Sequence, residues 1–125
     1  MAKYQNDSML DAAFEWVNDR VTRINVCSTQ PTTYAEATST YMLAQTAAIT
    51  STEITLANGD VSGRKMHVAS QTGLTVAASG TAAHVALTGS TGSTLLLVTT
   101  CTTQALTTGN TVNVPSFDDE IADAS

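Results

Sequence analysis

The sequence is short of charge, of aromatic rings, of cysteine and of long apolar runs, and each shortage removes a class of protein. Only 13% of its 125 residues are charged, about half the usual share of a globular domain. Lys3, Arg20, Arg23, Arg64 and Lys65 are the only strong cations, and the formal net charge is −6. These five form no basic stripe, which argues against nucleic acid or an anionic membrane surface as partner. No apolar run approaches the roughly 20 residues needed to span a bilayer. The opening MAKYQNDSML lacks the apolar segment of a secretory signal, so none is expected. The two cysteines, Cys27 and Cys101, are too few and too far apart for a disulfide scaffold, and no spacing points to zinc. They read as small buried thiols, with an internal or intersubunit disulfide as the alternative. Aromatics make up 5% of the chain. A carbohydrate-binding β-module would present an exposed aromatic row, and the second half of the chain has almost none.

Threonine, serine, alanine and glycine fill the gap. Hydrophobic residues still reach 42%, so the chain has the means to build a core and lacks the composition of a disordered segment. Threonine favours pleated, half-buried surfaces. The length predicts one structural unit, mainly β.

One segment departs from this. In NDSMLDAAFEWVNDRVTRI, apolar residues fall at Leu10, Phe14, Val17, Val21 and Ile24. Alternating steps of four and three place them on one face of a helix. Asp7 or Ser8 can cap it, Asp11 suits its first turn, and Arg20 and Arg23 suit its end. Such a helix either closes the domain's own core or docks on a neighbouring subunit. Asp11, Glu15 and Asp19 recur every four residues and read as its polar face. Next, Gln30-Pro31 marks a turn or an extended arm, and residues 35–44 read equally as a short helix or as an extended segment. Tyr34 and Tyr41 are contact candidates there. Residues 1–50 are thus expected as helix and arm, and residues 51–125 as the β domain.

From residue 52 the punctuation is regular. TEITLANGDVSGRKMHVAS reads as strand, Asn-Gly turn, strand, and TGLTVAASGTAAHVALTG repeats the theme. STLLLVTTC suits a central strand buried on both faces, and QALTTGNTVNVPSF forms another hairpin. The expected fold is a small β-sandwich or barrel of five to seven antiparallel strands preceded by one amphipathic helix. The acidic ending DDEIADAS reads as an exposed tail.

The inventory for chemistry is thin. His67 and His84 are the only histidines, and neither lies in a nucleophile elbow. They could pair across neighbouring strands, but a third metal ligand is lacking. Asp118, Asp119, Glu120 and Asp123 lack the spacing and glycine of a calcium loop. There is no phosphate loop and no dinucleotide fingerprint. No catalytic residue, metal or cofactor is expected. His84 reads as a hydrogen-bonding residue on a sheet face, opposite Val85 and Leu87.

The second half carries Gly-Thr-Ala-Ala-His-Val-Ala-Leu, a glycine/serine turn, Leu-Leu-Leu-Val-Thr, Ala-Leu-Thr-Thr-Gly-Asn-Thr-Val and a Pro-Ser-Phe ending. With YQNDSMLDAAFEWV and CSTQPTTYAEATSTY, this pattern resembles the small virion structural proteins of tailed bacteriophages over most of the chain. The resemblance implies a non-enzymatic protein of the virion, assembled in the host cytoplasm. Within that class the reading is a head decoration (cement) protein that binds the major capsid protein lattice. Such proteins are small, β-rich and often trimeric, so a homo-oligomer, as a trimer, is implied. A tail, neck or fibre-associated protein is the alternative. Phe14, Trp16, Tyr34, Tyr41 and His84 are the contact candidates.

Overall fold

The computed structural model describes residues 6–49 and 53–121. Helix α1 spans Asp7–Asn18 and begins one residue before the expected caps, with the Asn6 side chain accepting from the Ser8 N–H at 2.8 Å. Nine strands follow among the described residues: β1 Arg23–Cys27, β2 Met42–Gln45, β3 Ile54–Asn58, β4 Arg64–Val68, β5 Gln71–Thr75, β6 Gly80–Gly89, β7 Thr94–Leu106, β8 Thr111–Val114 and β9 Phe117–Ile121. They form three antiparallel sheets, ordered β2-β1-β6-β7, β3-β4-β9 and β5-β8. The fold is a small, mainly β sandwich with one N-terminal helix.

The strands beyond the expected five to seven come from segments read otherwise. Arg23 and Ile24, taken as the end of the helix, and the three residues after them form β1, which lies between β2 and β6. Ile24, Asn25, Val26 and Cys27 are all buried, because β1 has a strand on each side and material over both faces. The apolar spacing that continued through Val21 to Ile24 therefore crosses from helix into strand. Residues 35–44 divide into a π-helical turn, Glu36–Thr40, and β2. Residues 6–49 are thus part of the sandwich, and the boundary set at 50–51 falls outside the described residues.

One core lies between the large sheet and the other two. Ile24, Val26, Leu43, Val85 and Leu87 face Ile54, Met66 and Val68 of the three-stranded sheet and Leu74, Val112 and Val114 of the two-stranded one. Helix α1 closes this core. Phe14, expected as a partner contact, is only 2% exposed and packs within it. Its place on the inner helix face with Leu10 removes it from the contact candidates. Asp11 meets Arg64 of β4 at 2.7 Å, so the chain's own cation offsets part of the helix's acidic stripe.

The acidic ending is also structural. Asp118 and Glu120 lie on β9, paired in register with His67 and Lys65 of β4, whereas Asp123 lies outside the described residues. Asp118 Oδ1 is 2.6 Å from His67 Nδ1, and its Oδ2 is 3.4 Å from Lys65 Nζ. The hydrogen bond to His67, with help from Lys65, holds the Asp118 carboxyl below the ordinary aspartate range. A lowered folded-state value contributes stability that is complete above the ordinary value and disappears as pH falls through the lowered one. Asp118→Asn is therefore expected to melt earlier than the parent at neutral pH and together with it near pH 2. Thermal melts across that range check this, and a gap that persists in acid would contradict it.

Candidate functional site

Alternation along β6 sends Val85 and Leu87 into the core and His84, Ala86 and Thr88 to the opposite face of the large sheet. That face has its own small cluster. Cys27, Ala37 and Ala86 are buried there, with Tyr41, Leu95 and Val98 packed against them. Tyr41 follows the π-helical turn, and its hydroxyl donates to Glu36, which raises the phenol's pKa. Glu36 also accepts from the Thr32 backbone N–H and hydroxyl at 3.1 and 2.7 Å, and these bonds lower its own pKa. Tyr34 stands half-buried at the start of the same turn, its carbonyl accepting from the Thr38 hydroxyl. His84 pairs in register with Cys27 on one side and Thr100 on the other. The structure thus brings Tyr41 and His84 to one face of the large sheet. Trp16 stands apart on α1, 46% exposed, with the Arg20 guanidinium 4.4 Å from its ring centre.

This second face is partly polar, and its formal charges, Glu36 and Arg23, come from the first half of the chain. Asn25 Nδ2 donates to Thr88 Oγ1 at 2.9 Å between neighbouring strands, both residues being fully buried. Asn25 Oδ1 and His84 Nδ1 are buried without a hydrogen-bond partner. Among the described residues no three His, Cys, Asp or Glu side chains gather as a metal site. The pairing considered for His67 and His84 does not occur, since β4 and β6 belong to different sheets.

The feature that sequence reasoning missed is the side of the sandwich along β7. The Leu95–Val98 run was expected in a central strand, but β7 is an edge strand with β6 as its only neighbour. All four residues are half-buried rather than buried, because no strand covers their outer side. The opposite edge of the same sheet is closed. There the Ala77 N–H donates to the Leu43 carbonyl at 2.7 Å, and Val76 bridges Ala44 of β2.

Beside β7 runs a cleft of about 380 Å³. Its floor is Val26, Ala82 and Val85, and its far wall is Val112 to Phe117. Consecutive β7 residues Thr99, Thr100, Cys101 and Thr102 all line the near side. Successive strand residues point to opposite faces, so a cleft touching all four lies along the backbone edge. It is an open seam between the sheets.

β7 itself carries no charge to guard this edge. From Met66 to Phe117 the chain contains no Asp, Glu, Lys or Arg. Long edge strands usually carry a lysine, a proline or an inward charge against unwanted pairing. β7 has none of these over 13 residues. Two register irregularities interrupt its pairing with β6, and between them Leu97–Thr100 pairs regularly with His84–Leu87. The charge-free stretch was the available signal, and it is visible in the sequence.

Both thiols are free, Cys27 buried and Cys101 partly exposed on the cleft wall. Burial, reinforced by the nearby Cys101, pushes the Cys27 thiol up to about 11. Burial raises Cys101 as well. At pH 8 roughly one Cys27 in a thousand is thiolate, and that atom is also shielded. In dilute solution one thiol, Cys101, is expected to react with a maleimide before unfolding, and Cys101→Ser should abolish that phase. Labelling of two thiols at equal rates would contradict the burial of Cys27.

Comparison of the chain with protein-family models, with curated proteins and with solved structures gives no match.

Proposed function

We propose that this chain is a non-enzymatic structural protein of a tailed-bacteriophage virion, a head decoration protein that binds and stabilises the major capsid protein lattice. The observation that carries the reading is the uncharged, hydroxyl-rich half of the molecule. Residues 66–117 supply β6 and β7 of the large sheet and both strands of the two-stranded sheet without one formal charge, and they leave open the β7 edge. A surface of this kind binds through backbone, hydroxyl and small apolar contacts, the chemistry of packing against protein. The resemblance of the sequence pattern to small virion proteins supports the same reading.

The mechanism is linkage. A partner that binds the assembled lattice and not its separated subunits stabilises the lattice by its binding free energy. Many repeated sites make a modest affinity per site sufficient. In this reading the lattice contact falls on the face of Tyr41 and His84, with Trp16 of α1 as a separate contact.

The experiment is co-sedimentation of purified protein with phage heads assembled without it. Saturable binding to heads, with a rise in their melting temperature, is the expected result. Binding to tails or necks would move the protein within the particle. Binding to no virion component would defeat the reading.

A further inference from the structure

We propose that β7 is a self-association edge, pairing antiparallel with β7 of a second copy across a two-fold axis to make one continuous eight-stranded sheet. The inference does not depend on the virion reading, since it concerns the isolated protein.

Three observations name a second copy as the occupant. The first is charge. Two-fold pairing sets a strand against its own twin, so any charge near its centre would be repeated across the interface, where facing like charges are destabilising. The chain carries a formal charge of −6, yet β7 and everything from Met66 to Phe117 carry none. Of the other sheets' strands, β9 runs Phe117–Ile121 with Asp118, Asp119 and Glu120 in succession, which opposes such self-pairing.

The second is closure. The β2 edge is occupied by residues 76–78, so β7 cannot pair head-to-tail with β2 of a neighbour. A β7–β7 contact uses the one open edge of the large sheet in each copy, so growth of that sheet ends in a closed dimer rather than a fibre. The trimer implied by the resemblance would need a different surface.

The third is the seam. Thr99 and Cys101 point toward the core side, as Val85 and its cluster do. In a two-fold pair the equivalent side chains of the second copy enter the cleft beside Val26, Val85 and Phe117, and the exchange is reciprocal. Pro115 on the opposite wall has no N–H to offer a strand. The regular tract Leu97–Thr100 is the centre of pairing.

Sedimentation equilibrium of the parent chain tests this against Thr100→Lys/Thr102→Lys. Both positions are exposed on the edge, so the fold should survive, as circular dichroism and melting will show. The parent is expected at twice the 13.0 kDa chain mass. The lysines are expected to raise the dissociation constant roughly a hundredfold. They also bring the formal charge from −6 to −4 per chain, which by itself would ease association, so a loss of dimer reports the edge and not the overall charge. Cys101 labelling should slow at concentrations where the parent dimerises and stay fast in the lysine variant. A monomeric parent would overturn the proposal, as would a dimer that the lysines leave intact or that Trp16→Ala dissociates instead. Failure here leaves head binding untouched, and failure of head binding leaves the dimer untouched.

Discussion

Leu87→Ala is expected to destabilise the protein by about 2–5 kcal/mol, with the upper half of that range the better estimate. Leu87 is fully buried on β6, opposite Ile24 of β1 and Leu97 of β7. Both flanking strands are held by backbone ladders, so the surroundings cannot collapse into the space left by the lost methyl groups. Incomplete collapse is what separates the costly truncations from the cheap ones. Against a total stability of roughly 5–15 kcal/mol, such a loss would leave much of the protein unfolded near body temperature. Urea denaturation checks it through a lower midpoint at unchanged slope. Leu97→Ala serves as an internal comparison. Leu97 faces the same core but is only half-buried, so it should cost clearly less. Equal losses at the two positions would mean that β7 is better covered than an edge strand can be.

Gly89→Ala is the second large effect, expected at about 1–3 kcal/mol. Gly89 closes β6 where the chain from α1 enters β1. A Cβ there would lie 2.4 Å from the Arg20 carbonyl oxygen and 3.2 Å from its carbon. The obstacle is backbone, and it is tied down. The Thr22 N–H donates to the Thr88 carbonyl at 2.8 Å, and the Ser90 N–H donates to Thr22 Oγ1 at 3.0 Å. Relief requires moving the helix–strand connection away from β6, which breaks these bonds. Gly109→Ala makes a useful contrast, since no atom lies near its would-be Cβ and only its positive φ of 91° resists substitution. Thermal melts should rank Gly89→Ala well below the parent. A melting point equal to the parent's would show that residues 20–22 do not approach β6 so closely.

Local periodicity carried much of the fold. The helix was legible from its four-and-three spacing, and the face assignment of His84 from strict alternation with Val85 and Leu87. Hairpin signals placed β3 with β4 through Asn58-Gly59. What failed needed knowledge of neighbours. The Leu95–Val98 run has the composition of a buried strand, but composition does not say how many strands will flank it. Asp118 and Glu120 look like a solvated tail until β4 sets His67 and Lys65 beside them across about fifty residues of chain. Phe14 was read as a contact because an aromatic on an amphipathic helix has two destinations, a core or a partner. Here it joins Ile54, Met66 and Val68 of β3 and β4 in one core. The candidate site was the least legible part. Its mark is the absence of charge from Met66 to Phe117, and that absence acquires meaning only once β7 is seen at an edge.

The central claim is that the uncharged half of this molecule packs against virion proteins. Cryo-EM of tailed-phage heads incubated with the purified chain tests it most directly. The account predicts density for this helix-capped sandwich on the outside of the head at junctions between capsomers, with the face of Tyr41 and His84 toward the lattice. A particle map that accounts for every protein density without this fold would contradict it.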